Sequence, residues 1–203
     1  MEFFFDANIP KKEKEPYGKL ASQQRMRLAM AFLNPLRPVI NEGWSQYGNG
    51  KKSKAFGQAL KKVIQEAVAG TYPDQMIVPE RVMISMGALP PPAIADVVRS
   101  PGILEVFFTN EPHPMARDSD ELVLIVISPE LGIGAKSDQV WYRKDGRIEV
   151  ELPPQFEEGS FHAYTYCHNQ KKTSYSKSYY LGYFEALLDQ KRGDGNIHAQ
   201  IKH

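Results

Sequence analysis

The sequence has little of what marks the commonest specialised classes of protein. Its 203 residues include a single cysteine, Cys167, so no intrachain disulfide is possible, which fits a reducing compartment or an assembly that does without disulfides. The net charge of +1 provides no overall field to attract nucleic acid. No apolar run approaches the roughly 20 residues of a membrane-spanning helix, and no signal peptide is recognisable at the start. We therefore expect a protein that is cytoplasmic or assembled into a particle, with no membrane span.

Motifs of catalysis and cofactor binding are also missing. The sequence contains no G-x-S-x-G nucleophile elbow, no phosphate-binding loop and no dinucleotide fingerprint. His162 and His168 fall on the same face of one predicted strand but stand roughly 20 Å apart, too far to share a metal ion, and Cys167 falls on the other face. The oxygen-rich segment 110–120 lacks the spacing of an EF-hand calcium loop. We predict no catalytic residue, metal or cofactor, with an enzyme of unfamiliar type as the remote alternative.

What the sequence does contain begins with a helical region, predicted over residues 19–72. Residues 20–33 are good helix formers, and Asn34-Pro35 should end that helix, because the residue before a proline disfavours helical backbone. Pro38 suits the first turn of a second helix that reaches about Tyr47. A third helix has the clearest amphipathic spacing. Its apolar positions are Phe56, Ala59, Leu60, Val63, Ile64, Ala67 and Val68.

After residue 73 the apolar spacing becomes that of strands, which predicts a β-sandwich over residues 73–184. Strands are predicted at 103–109, 121–128, 139–143, 147–152, 161–168 and 175–183, with a seventh drawn from residues 76–86. The closing pair of strands, aromatic and joined by a polar turn, resembles the last hairpin of an immunoglobulin-like or fibronectin-type sandwich. The predicted fold class is α+β, a small N-terminal helical unit followed by an immunoglobulin- or fibronectin type III-like antiparallel β-sandwich. Residues 1–18 are predicted to form an arm, and residues 185–203 a C-terminal tail.

One hairpin is predicted in detail. Asp145-Gly146 suits a two-residue type I′ turn, which would pair Trp141 with Val150 and Tyr142 with Glu149. Trp141, Ile148, Val150 and Leu152 would then share one face, facing the core.

Candidate interaction residues lie in three places. The arm carries an aromatic cluster on a charged tether, which favours docking onto a neighbour, although it could equally fold back or be a gene-boundary remnant. The loop 110–120 and the tip of the last hairpin should lie at the same end of the sandwich, as a contact surface of mixed charge or as a solvated internal ion pair. Tyrosines of the last strands could form an exposed strip, or alternate into the core. The candidates are Phe3, Phe4, Phe5, Asp118, Asp120, Tyr166, Lys171 and Lys172.

Several segments together resemble a family of proteins of unknown function that is common in Bacteroidetes. The most specific pieces are AVAGTYPD, MGALP and the closing SYSKSYYLG, and the resemblance extends over roughly residues 17–184. It implies a helical first half and an immunoglobulin- or fibronectin-like second half. It implies no catalytic residues.

The absent motifs and the sticky arm favour a non-catalytic structural or interaction protein that acts in a macromolecular assembly, with a phage or virion-like structural component as the specific prediction. Its partners would be proteins or further copies of itself. The alternative is a module that binds a glycan or a peptide through the tyrosines and the loop 110–120.

Overall fold

A computed structural model describes residues 16–186 of the protein, which form a helical region followed by antiparallel sheets. The mixed α+β composition and its order along the chain are confirmed. Phe3, Phe4 and Phe5, with nearly all of the predicted tail, lie outside the described residues.

Three helices make up the first layer. Helix α1 spans Pro16–Leu33, α2 spans Arg37–Gly43, and α3 spans Lys52–Glu66. A 3-10 turn at Asn34–Leu36 separates α1 from α2, as the prolines at 35 and 38 require. The predicted second helix is interrupted, because α2 ends at Gly43 and a 3-10 turn follows at Ser45–Tyr47. On α3, Phe56, Ala59 and Val63 are buried as predicted, and Leu60 and Ile64 pack against the same core while partly buried. The helix ends earlier than predicted, at Glu66, so Val68 lies in the strand that follows.

A small two-stranded sheet follows the helices and corrects one prediction. Strand β1 (Val68–Ala69) pairs antiparallel with β2 (Met76–Ile77), so the strand at Met76 belongs to this pair. Residues 82–86 do not form a strand. Val82 and Ile84 instead bury their side chains among the helices, and Met86 donates its N–H to the carbonyl of Gly43 at the end of α2. The prediction that residues 76–86 supply a seventh sandwich strand is therefore wrong.

The remaining strands form two larger antiparallel sheets. They are β3 (Ala93–Ser100), β4 (Ile103–Thr109), β5 (Glu121–Ser128), β6 (Ile133–Lys136), β7 (Trp141–Tyr142), β8 (Arg147–Glu151), β9 (Phe161–His168) and β10 (Tyr179–Phe184), with a one-turn helix α4 (Gln155–Glu158) before β9. One sheet has the order β3-β4-β8, and the other has the order β10-β9-β5-β6, with β7 beside the first residues of β5.

The strands that sequence reasoning located best are the most apolar ones. Strands β4, β5 and β9 have the predicted bounds. Strands β3 and β6 were not predicted. In β3 only Val97 is fully buried, so its sequence has no clear alternation, and β6 is a short segment next to glycines.

The predicted Asp145-Gly146 hairpin is wrong. Strand β7 pairs with β5 and β8 pairs with β4, so Trp141 and Val150 lie in different sheets. The Asp145 carboxylate accepts the N–H of Tyr142 at 2.7 Å and closes a 3-10 turn over Arg143–Asp145. Gly146, at a φ of 68°, then redirects the chain into the other sheet. The shared apolar environment was predicted correctly, because Ile148, Val150 and Leu152 are buried in the core against which Trp141 packs.

The five-stranded sheet that contains β5 and β9 lies in the middle of the fold, with a core on each face. One face packs against the helices, and that core includes Phe32, Leu33, Ile40, Trp44, Phe56, Ile125, Ile127, Tyr164 and Tyr166. The other face packs against the three-stranded sheet, and that core includes Val97, Leu104, Val106, Leu122, Leu124, Val126, Ile148, Val150 and Cys167. Burial on both faces explains why β5 is apolar along nearly all of its length. No helix within residues 16–186 is long and apolar enough to cross a membrane.

Candidate functional site

The candidate site is a cleft of about 310 Å³ where the helices meet the β6 edge of the central sheet. Its upper wall is α2 with the turn before it, and its lower wall is β6 with the segment 137–140. The ends of β5 and β9 contribute Glu121, Tyr166 and His168 to its inner end. We call this space the edge cleft.

The prolines and one glycine create the walls of the edge cleft. Pro35 and Pro38 set the turn that carries Leu36 over the sheet. A Cβ on Gly134 would stand 2.8 Å from Cδ2 of Leu36, so the absence of a side chain lets β6 pass beneath it.

Two carboxylates converge on a buried histidine at the inner end of the cleft. Nε2 of His168 lies 3.7 Å from Oε1 of Glu42, on α2, and 3.9 Å from Oε2 of Glu121, on β5. Nδ1 of the same ring is 3.0 Å from the carbonyl oxygen of Asn169, and because a carbonyl only accepts, Nδ1 carries a proton. At 3.7 and 3.9 Å, both carboxylates are beyond hydrogen-bond distance of Nε2.

The ammonium of Lys172 closes one side of this group. Its Nζ lies 2.8 Å from Oε1 of Glu42, and the hydrogen bond to that carboxylate raises the pKa of Lys172. The backbone of Lys172 is left-handed, at a φ of 52°, which is uncommon for a residue with a side chain. Asn169 holds it there, accepting the N–H of Lys172 on its carbonyl and those of Thr173 and Ser174 on its side-chain oxygen.

A second cleft, of about 550 Å³, lies on the far side of Lys172. It runs between α2 and the start of α3 and is lined by Asn41, Ser45 and Lys51 among others. Pro38, Glu42 and Lys172 line both clefts. The two clefts therefore adjoin at the Lys172–Glu42 ion pair.

The lower wall of the edge cleft is an open strand edge. Ser137 donates its N–H to the carbonyl of Leu124, which fixes the phase of pairing, so Ala135 directs its backbone groups toward β5. Gly134 and Lys136 consequently direct theirs away from the sheet, and both residues are exposed. Among residues 16–186, no backbone group hydrogen-bonds to these outward amides.

The structure brings together part of the interaction surface that the sequence predicted. The pairing of Glu121 with His168 places the loop 110–120 and the hairpin tip at the same end of the central sheet. Asp118 accepts a hydrogen bond from the amide of Asn110, and Lys171 is exposed.

Two of the predicted interaction residues, one from the loop and one from the tyrosine strip, are buried. Asp120 is buried against Arg143, and Tyr166 is buried between the sheet and the helices. Lys172 pairs with Glu42 of the helical layer rather than with either aspartate of the loop.

Glu42, Glu121, His168 and the open edge of β6 were not found by sequence reasoning as parts of one site. They come from four elements that are far apart in the chain. Only His168 had been singled out, on the correct parity relative to Cys167. Nothing in the sequence indicated that a short helix would place a glutamate above it.

In residues 16–186, no group of three histidine, cysteine, aspartate or glutamate side chains could hold a metal ion. The thiol of Cys167 faces the other core, 3.2 Å from a guanidinium nitrogen of Arg143. Burial raises the pKa of Cys167 to about 11, which keeps the thiol protonated and unreactive at neutral pH.

Comparison with protein-family models places the chain in a family. The model of a family described as Family of unknown function (DUF6266) matches residues 8–182 of this chain, which include the helices, the edge cleft and nearly all of both sheets. Neither the curated proteins nor the solved structures contain a match.

Proposed function

Because the chain belongs to the DUF6266 family, whose function is unknown, we propose its function from its own geometry: a non-catalytic interaction protein that docks an extended segment of a protein partner within an assembly. The observation that carries this proposal is the open edge of β6 beside the edge cleft. An extended segment that pairs with an exposed strand gains main-chain hydrogen bonds, and neighbouring pockets select its alternate side chains.

The edge cleft has the features that such a segment needs. Gly134 and Lys136 offer outward N–H and C=O groups along one side. Pro35, Leu36 and Val39 offer apolar contact along the other. The glutamates at the inner end add a polar anchor, and a small number of placed polar groups in an apolar cleft is what fixes the orientation of a ligand.

The strand order supports the finer proposal of a fibronectin type III-like sandwich. The orders β3-β4-β8 and β10-β9-β5-β6 correspond to the two sheets of that fold, with a short extra strand in β7. One core between the sheets contains side chains of both. Such sandwiches are rigid supports that present edges and loops to partners. The still more specific role of a phage or virion-like component rests on this architecture alone.

Binding of a peptide has more support than binding of a glycan. A sugar needs exposed aromatic rings on which to stack. Tyr164, Tyr166 and Tyr175 are buried in the core against the helices. Tyr179 and Tyr183 are exposed, but β10 shifts register between them.

Strand pairing can be tested by removing a single outward N–H. We would screen the full chain against short acetylated, amidated peptides of alternating apolar and polar residues, with fluorescence polarisation as the readout. Lys136→Pro should abolish binding of the hits, because proline has no N–H and this one faces away from β5. Lys136→Ala is the matched control: it removes the same side chain but keeps the N–H, so it should retain binding that Lys136→Pro loses. Equal binding by both variants, or no hit in the screen, would refute docking along β6.

A further inference from the structure

We propose that the edge cleft accepts the side chain of a lysine or arginine of the docked segment, and that Lys172 is an internal stand-in which this side chain displaces. The inference rests on the proposed docking along β6 and adds the chemistry of the partner.

At the inner end of the cleft, the hydrogen-bond donor to Glu42 is the ammonium of Lys172. Glu42 and Glu121 converge on Nε2 of His168 from 3.7 and 3.9 Å, and no bond joins either carboxylate to that nitrogen. Because Nδ1 is engaged by the carbonyl of Asn169, Nε2 is the ring nitrogen that faces the two carboxylates. A guanidinium or ammonium between the two carboxylates could donate to both, and charge-assisted hydrogen bonds of this kind are the strong ones.

The charges that surround the cleft also favour a cation. Carboxylates line it at Glu42, Glu121 and Asp138, and ammonium groups line it at Lys136 and Lys172. When Lys172 leaves the cleft, its lining retains three carboxylates and one ammonium, that of Lys136.

Lys172 has the properties of a displaceable occupant. Its side chain is 52% exposed, and ion pairs with that exposure contribute little to stability. Its left-handed backbone is an unfavourable conformation for lysine, and such conformations concentrate at ligand clamps and switches. The side chain of an incoming lysine or arginine would therefore replace one cation at Glu42 with another. Lys172 lines both the cleft of about 310 Å³ and that of about 550 Å³, so its departure would enlarge the space open to the segment.

The test compares two probe peptides on the full native chain. One is an acetylated, amidated hexapeptide of alternating valine and arginine, and the other has citrulline, the neutral isostere, in place of each arginine. Isothermal titration should show the arginine peptide binding about tenfold more tightly at low salt, as expected for a charge-assisted contact. Glu42→Gln and Glu121→Gln should each remove most of that difference.

Variants of the two neighbouring lysines test whether Lys172 competes with the peptide for the carboxylates or contacts the peptide itself. Lys172→Met keeps the aliphatic stem and removes the competing charge, so it should bind the arginine peptide several-fold more tightly. Lys171→Met is the matched control, since Lys171 is exposed beside it, and should change little. Unchanged or weaker binding by Lys172→Met would overturn the stand-in role.

The outcomes distinguish the inference from the proposed function. If both peptides bind equally and Lys136→Pro abolishes both, docking along β6 holds and the cation site is refuted. If neither peptide binds the native chain or Lys172→Met, both proposals fail for this site. Because the citrulline comparison leaves the protein unaltered, its result does not depend on any variant folding.

Discussion

Arg143 and Asp120 form an ion pair within the protein, with 3.5 Å between Nε of Arg143 and Oδ2 of Asp120 and only 2% of either side chain exposed. Oδ2 also accepts the N–H of Arg117 at 2.9 Å. A terminal nitrogen of Arg143 donates to the carbonyl of Pro90 at 2.6 Å. The pair therefore ties the chain before β3 to the start of β5.

Breaking this pair should be costly, because it leaves an uncompensated buried charge. We expect Asp120→Asn to lower the free energy of unfolding by about 3–5 kcal/mol. Asp118→Asn is the control: Asp118 is exposed, and its replacement should cost less than about 1 kcal/mol. Urea denaturation followed by circular dichroism measures both. Equal losses in the free energy of unfolding of the two variants would contradict the prediction that breaking the buried ion pair is costly.

Two glycines should respond to alanine in opposite directions. A Cβ on Gly87 would overlap the carbonyl oxygen of Tyr175, so backbone would have to move and Gly87→Ala should cost about 2 kcal/mol or more. Gly57 lies in α3 with nothing within 4 Å of its ideal Cβ. Gly57→Ala should stabilise by about 0.5–1 kcal/mol, since alanine is the better helix former. Thermal unfolding of the two variants in parallel measures both changes in stability. Changes of the same sign would contradict this prediction.

The buried thiol should make the protein less stable in alkali. Burial raises the pKa of Cys167 from 9.0 to about 11, so between those values the unfolded chain has lost a proton that the folded chain retains. Stability must then fall as pH rises, by about 1.4 kcal/mol per pH unit over this window. Urea denaturation at several pH values should show a shallower decline for Cys167→Ala. Tyr164 and Tyr166, whose pKa values burial also raises, should account for decline that remains. An identical pH dependence in the variant would refute the assignment to Cys167.

The predicted sandwich domain, residues 73–184, should not be stable when produced alone. One face of its central sheet packs Ile125, Ile127, Tyr164 and Tyr166 against the helices, and removing the helices would expose this apolar surface. We expect the fragment to bind a hydrophobic dye and to self-associate in sedimentation experiments, whereas the full chain does neither. A monomeric fragment with a cooperative thermal transition would show that the helices are dispensable for folding.

Local patterns in the sequence were sufficient to predict the elements whose structure depends on a few neighbouring residues. The proline at 35 ends α1, the spacing of α3 identifies its buried face, and the apolar run of β5 marks a central strand. Parity along β9 placed Cys167 and His168 on opposite faces, and the two cores confirm it. Each of these follows from backbone geometry over a few residues.

Pairing between distant segments was not readable in the same way. The Asp145-Gly146 dipeptide has the composition of a tight hairpin, but its aspartate instead caps a 3-10 turn and the chain changes sheets. Strand β6 has too few buried side chains to show a pattern. The sequence predicted Lys172 near the aspartates of the loop 110–120, whereas packing of α2 against the sheet places it beside Glu42.

The sequence by itself determined the helical first layer, the most apolar strands and the absence of an intrachain disulfide, because these depend on composition and on periodicity along the chain. Only the tertiary structure decided that the central sheet is covered on both faces, and that an open strand edge, two glutamates and a histidine meet in one cleft. That meeting depends on how whole layers pack, and a contact between residues more than a hundred positions apart, such as Glu42 with Lys172, has no signature in either residue's local sequence.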